Sequence, residues 1–179
     1  MPMDLSLVVP TLNEAQGIVA FLDEVLAVTA GLGSVEVIVV DDASEDGTAD
    51  LARDRLGSKG RVIERSGPRS LALSVVDGWR AAKGAVLGLM DADLSHPPEL
   101  IPAMLAEIEE RGADVAVATR YVAGGGTEGW PWRRRLVSRV ASGMARTLVH
   151  ARDPLSGFVF MRREVIEGIE LDPVGWKIT

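Results

Sequence analysis

The first 120 residues predict an α/β fold built on a parallel sheet. Short apolar or β-branched runs alternate with stretches of helical periodicity, the pattern of strands joined by helical crossovers. The strongest runs are apolar at nearly every position, as strands covered on both faces are. Polar clusters follow the runs at residues 10–14, at Asp41/Asp42, at Asp91/Asp93 and at Arg120. In parallel α/β sheets those strand ends are where ligands bind.

Residues 5–9 (LSLVV) form the first strand, ended by Pro10. Asn13 is placed to cap a helix, with Gln16 completing a capping box. That helix spans 14 to about 30, with Ile18, Phe21, Leu22, Val25 and Leu26 on one face, and Gly31 and Gly33 close it. Residues 35–40 (VEVIVV) are the second strand, mostly β-branched. The acidic turn DDASEDGT leads into a helix over 48–56, then a short strand over 61–64 and a loop at Gly67-Pro68. A helix over 70–82 carries Leu71, Val75, Val76 and Trp79 and stops at Gly84. Residues 97–111 form a helix with Leu100, Ile101, Met104, Leu105 and Ile108 inward, Pro98 suiting its first turn. Residues 114–119 are a fifth strand.

The segment AVLGLMDADLSHPPE (85–99) stands at the centre of the chain's chemistry. An apolar run meets Asp91 and Asp93, and carboxylates leaving a buried strand are costly without a positive partner. A hard divalent cation, Mg²⁺ or Mn²⁺, held against a ligand's phosphates fits them. A surface aspartate turn is the other reading. His96, beside two prolines, reads as structural, with a role supporting the acids as the alternative.

Beyond Tyr121 the character changes. Gly124-Gly125-Gly126 reads as a hinge, followed by Trp130 and Trp132. Six arginines (133, 134, 135, 139, 146 and 152) fall between Trp130 and Arg152 with no acid among them. The rest of the chain carries −13 against a total of −7. Residues 134–149 show a helical apolar stripe opposite Arg135, Ser138, Arg139, Ser142 and Arg146. This is either a solvated face or a basic amphipathic helix turned to lipid phosphate. A turn at 153–157 and a late strand at 158–161 (FVFM) precede a short helix starting at Arg162.

Bulk properties narrow the function. The 179 residues, 47% hydrophobic and 25% charged, suit one domain, 1–179. The net charge of −7 argues against nucleic-acid binding. No cysteine is present, which excludes disulfides and thiolate metal sites and suits the cytosol. The N-terminus shows no signal-peptide pattern, and no run reaches the ~18 apolar residues of a membrane span. No G-x-G-x-x-G follows the first strand, and neither a P-loop nor a G-x-S-x-G elbow occurs. Two histidines are too few for a His-rich zinc site. A phosphotransfer receiver would place its paired acids after the first strand, whereas here they follow the second.

Assembled, the motifs VVPTLNEAQGI (8–18), VVDDASEDGT (39–48), MDADLSHPPEL (90–100), RYVAGGGTEGWPWRRRLVS (120–138) and DPLSGFVFMRREV (153–165) resemble the inverting glycosyltransferases of family 2. The nearest branch is the polyprenyl (dolichyl) phosphate mannose synthases. The resemblance implies a GT-A fold, a Rossmann-like, mostly parallel sheet with flanking helices. Its donor half would be 1–120 and its acceptor half 121–179.

It also implies roles. Pro10, Asn13 and Glu14 would border the nucleotide, and Asp41 and Asp42 would meet base and ribose. Asp91 and Asp93 would hold Mg²⁺ or Mn²⁺ on the diphosphate, with Ser95 as a shorter ligand where the family has Gln. Asp93 and Arg120 would be catalytic, and Arg134 and Ser138 would bind the acceptor phosphate. The donor would be a nucleotide sugar, GDP-mannose favoured, and the acceptor a polyprenyl phosphate at the cytoplasmic face of a membrane. Sugar transfer from a UDP-sugar and a weakly catalytic nucleotide-sugar binder are the alternatives. The family's G-x-G before the third helix is here Ser70-Leu71-Ala72. The family also continues past the final Gly-Trp-Lys-Ile, so the chain is expected either to be a fragment or to rely on a partner or second copy to complete the site.

Overall fold

A computed structural model of the chain describes residues 4–118 and 156–171. Six strands form one sheet in the order β3-β2-β1-β4-β6-β5. They are β1 (Asp4–Thr11), β2 (Ser34–Asp41), β3 (Gly60–Glu64), β4 (Val86–Met90), β5 (Val115–Val117) and β6 (Phe158–Arg162). The β1–β2, β1–β4 and β2–β3 pairs are parallel. β6 lies antiparallel between β4 and β5, so β5 keeps the direction of the first four strands. The expected mostly parallel α/β sheet is present, with one reversed strand that strand–helix alternation does not announce.

Among the described residues four α-helices flank it: α1 (Ile18–Thr29), α2 (Thr48–Leu56), α3 (Leu71–Ala81) and α4 (Ile101–Glu109). Side chains alternate across each strand, and the core divides accordingly. Leu5, Leu7, Val9, Val37, Val39, Phe158 and Phe160 join Ile18, Phe21, Leu22, Ala52, Ile101 and Leu105 of α1, α2 and α4. Val8, Ile38, Val40, Leu87 and Met161 pack on Val75 and Trp79 of α3. The expected inward faces of α1 and α4 hold from Ile18 and Ile101 onward. Leu71 and Leu100 are exposed instead, at 39% and 38%, because each stands in or before the first turn of its helix, at the rim of the sheet.

Two expected boundaries are corrected. Pro10 does not end β1, which continues to Thr11 in register with Asp41. Pairing with β4 stops at Val8↔Leu89, so Pro10 lies where one neighbour has already left and a missing N–H is tolerated. Asn13 does not cap α1, whose N-cap is Gly17 without a side-chain bond. Asn13 sits in the left-handed region at φ 58°, and its amide has a partner elsewhere.

Asn13, Ala43 and Leu94 are the non-glycine residues with positive φ among the described residues, at 58°, 60° and 53°. They follow β1, β2 and β4 respectively, so backbone strain gathers along the C-terminal edge of the sheet. Ala43 is exposed, and glycine carries no penalty at its φ. Ala43→Gly is therefore expected to raise stability by about 1 kcal/mol, read as a higher denaturant midpoint at unchanged m-value.

Candidate functional site

The order β3-β2-β1-β4 reverses between β1 and β4, the switch point at which open α/β sheets bind ligands. Because β1 outruns its pairing with β4, a crevice opens there. Residues after β1 line one side of it and residues after β4 the other.

The loops after β1 and β2 are laced together. The Asn13 N–H donates to Ser44 Oγ at 2.8 Å and the Glu45 N–H to Asn13 Oδ1 at 3.0 Å. The Glu14 N–H donates to Thr48 Oγ1 at 2.8 Å and the Ala15 N–H to Asp46 Oδ2 at 3.0 Å. Asp41, 2% exposed, accepts from Thr11 Oγ1 at 3.0 Å, from the Ser44 N–H at 2.8 Å and from Ser44 Oγ at 2.6 Å. Its carboxylate thus sets the shape of the β2 loop.

Asp42 is held from the other side. Its Oδ1 is paired with Arg65 Nη1, and its Oδ2 accepts from the Ser70 N–H at the α3 N-cap at 2.6 Å. Helix N-termini favour such a carboxylate. Arg65 also reaches Asp77 Oδ2 at 3.0 Å. Arg65, Thr11, Ser44, Asp46 and Thr48 were not expected at the site. Their partners lie on other loops, and a single sequence does not show those pairings.

Across the crevice, Asp91 leaves β4 half-buried and Asp93 is exposed. The Ser95 N–H donates to Asp93 Oδ1 at 2.9 Å, closing a tight aspartate turn. Partial burial, then the Asp93 and Asp46 carboxylates, raise the Glu14 pKa above its ordinary 4.5. Glu14 and Asp93 therefore face one another electrically although their loops follow different strands. A raised acid pKa means that the folded chain binds the proton more tightly. The ionised form then costs stability above that pKa and nothing below the unfolded value. Glu14→Gln is expected to melt higher than wild type at pH 7.5, with the gap closing as pH falls toward 4.5. An equal gap at both pH values would contradict this electrostatic origin.

His96 is 5% exposed, edge-on to Phe158 at 5.7 Å, with Nε2 3.3 Å from Ser156 Oγ. Ser156 Oγ donates to the Ala118 carbonyl at 2.7 Å. His96 is thus buried and packed between Phe158 and Ser156. Pro10 is buried in β1. Arg120, Arg134 and Ser138 lie outside the described residues, as do the glycine hinge, Trp130, Trp132 and the arginine-bearing helix.

A doubly flanked sheet with acidic loops converging on its reversal point defines the GT-A class of nucleotide-sugar glycosyltransferases. The fold matches glucosyl-3-phosphoglycerate synthase from Mycobacterium tuberculosis in complex with phosphoglyceric acid. The TM-score is 0.75 at 22% identity over 98% of this chain and 62% of that one. The chain belongs to glycosyl transferase family 2, which matches residues 6–169.

Among curated relatives it is 40% identical to the dolichol-phosphate mannosyltransferase of Pyrococcus furiosus, over 98% of this chain and 51% of that protein. The Saccharomyces cerevisiae dolichol-phosphate mannosyltransferase is 34% identical, over 99% of this chain and 69% of its own length. The polyprenol monophosphomannose synthase of Mycolicibacterium smegmatis is 36% identical, over 95% and 66% respectively. The chain thus spans about half the length of the first and about two thirds of the others.

Proposed function

We propose that this chain transfers mannose from GDP-mannose to a polyprenyl phosphate, with inversion at the anomeric carbon. Residues 1–120 would take the donor and 121–179 the acceptor. The observation that supports this reading is that Glu14 follows β1 and Asp91 and Asp93 follow β4, the strands flanking the reversal point of the sheet, with the Asp93 carboxylate helping to raise the Glu14 pKa. The names of the relatives supply the sugar and the acceptor class.

The donor set suits Mg²⁺ or Mn²⁺. Asp91 and Asp93 offer hard oxygen ligands, and the Glu14 pKa is raised by burial first and then by the neighbouring Asp93 and Asp46 carboxylates. Among the described residues no three acidic or histidine side chains converge as a closed metal cage. Ions of this kind take one or two carboxylates and leave their other positions to phosphates and water. Asp91 and Asp93 would hold the ion, with Ser95 beside them. Bound there, it would supply Lewis-acid stabilisation of the leaving diphosphate.

The chain's own part is positioning and charge. The laced loops hold Asn13 and Glu14 at the nucleotide's edge, and the buried Asp41 and Asp42 shape the floor below base and ribose. Arg120 would offset charge on the diphosphate, and Arg134 and Ser138 would orient the acceptor phosphate. An oxygen of that phosphate attacks C1 of the sugar as the bond from C1 to the diphosphate oxygen breaks, and GDP departs. The attacking oxygen is already ionised near pH 7, so no strong base is required. Alignment supplies much of the acceleration. No helix among the described residues is long and apolar enough to cross a membrane. The arginine-rich segment is the part proposed to meet the membrane surface on its cytoplasmic side.

Incubating the full chain with a short polyprenyl phosphate, Mn²⁺ and either GDP-mannose or UDP-glucose discriminates the readings. Mannosyl phosphate product with the β configuration by NMR, lost on chelation, is the expected result. Transfer from UDP-glucose alone, or nucleotide binding without transfer, would overturn it.

A further inference from the structure

Gly157 has a carboxylate where its side chain would be. A Cβ built on it falls 1.7 Å from Asp91 Oδ2, 2.3 Å from Cγ and 2.7 Å from Oδ1. Its φ lies outside the left-handed region, so backbone conformation does not call for glycine there. Space does: the Asp91 carboxylate rests directly on the Gly157 α-carbon. The same two residues are joined through the main chain, the Asp91 N–H donating to the Gly157 carbonyl at 3.2 Å. The other crowded glycines differ in kind. Gly60 meets the Val37 carbonyl, Gly78 meets Val8, and Gly88 meets Leu7 and Phe160, all packing contacts.

The preceding residue grips the far end of the same loop. Ser156 Oγ uses its one proton on the Ala118 carbonyl at 2.7 Å and accepts from the Phe158 N–H at 3.2 Å. The remaining lone pair faces His96 Nε2 at 3.3 Å, which assigns the proton of that contact to the imidazole. The loop 91–96 is therefore held at both ends by the two consecutive residues that lead into β6.

We infer that Ser156-Gly157 is the positioning element of the aspartate motif, with Gly157 setting where the Asp91 carboxylate points and Ser156 fixing the loop's exit through His96. This rests on the reading of Asp91 as a metal ligand given above. Gly157→Ala leaves the sheet intact, because the atom in its way is the end of a side chain that swings aside. The swing moves the carboxylate off its aim.

Mn²⁺ is titrated into the full chain with GDP or UDP present, whichever nucleotide the wild type retains. Bound metal is read by EPR, and melting is recorded without metal. Gly157→Ala is expected to weaken Mn²⁺ binding at least about tenfold with a melting curve near wild type. Gly31→Ala, where a Cβ meets nothing within 4 Å, should bind as wild type does. Ser156→Ala is measured alongside and is expected to weaken binding severalfold, which serves as the readout if Gly157→Ala fails to fold. A wild type that binds no Mn²⁺ with either nucleotide overturns the metal reading itself. A wild type that binds, together with folded variants that bind equally well, overturns the positioning role alone.

Discussion

Asp91→Ala is expected to lower sugar transfer by about a thousandfold, roughly 4 kcal/mol of lost transition-state stabilisation. Asp91 leaves β4 at the crevice and belongs to neither apolar cluster, so the sheet should still form and circular dichroism should show it. Asp91→Asn keeps the shape and removes the charge, and it should lose nearly as much. Parallel loss in both variants with retained fold assigns the effect to the carboxylate's charge. Turnover close to wild type in either would remove Asp91 from the reaction, and with it the proposed function.

Arg65→Leu is expected to cost about 3–5 kcal/mol of stability, a fall in melting temperature on the order of 10 °C. The Arg65 and Asp42 side chains are each 8% exposed, so losing the guanidinium leaves a carboxylate deep in the fold without its cationic partner, beside the Ser70 N–H. Asp77 is 38% exposed and can turn to water, so it adds little to the loss. Adding Asp42→Asn to Arg65→Leu should restore part of the stability, because the unpaired charge goes with it. A single-variant loss under ~1 kcal/mol would mean that the pair behaves as a surface salt bridge.

The fold was legible where local pattern and tertiary demand agree. The 48–56 helix has the bounds read from the chain, since Thr48, Ala49, Ala52 and Leu56 mark one buried face. β2 was legible as a mostly β-branched run and β4 as a continuous apolar one. Agreement failed where a residue's partner is remote. Asn13 and Gln16 match a capping box, but the Asn13 amide binds the β2 loop instead. Pro10 reads as a stop, yet the stop applies only toward β4.

The acids of the site stood out because each follows an apolar run. The groups that hold them did not. Arg65 looks like any surface arginine until Asp42 and Asp77 are seen around it. Gly157 sits within the DPLSGF motif, but its reason for being glycine is a carboxylate far back in the chain. Spacing along one sequence carries no trace of that contact.

The reversed strand also dictates an order of events during synthesis. Among the described residues β5 pairs only with β6, and the side of β4 away from β1 waits for the same partner. A nascent chain that has emerged only through β5 therefore carries bare hydrogen-bonding edges. It is in its most association-prone state at that point. Closure of the sheet then depends on a contact of long sequence separation, the kind that slows folding. Shortening the chain ahead of Phe158 would leave a product prone to edge-to-edge aggregation, since the four-stranded unit β3-β2-β1-β4 would keep the β4 edge that β6 pairs with bare.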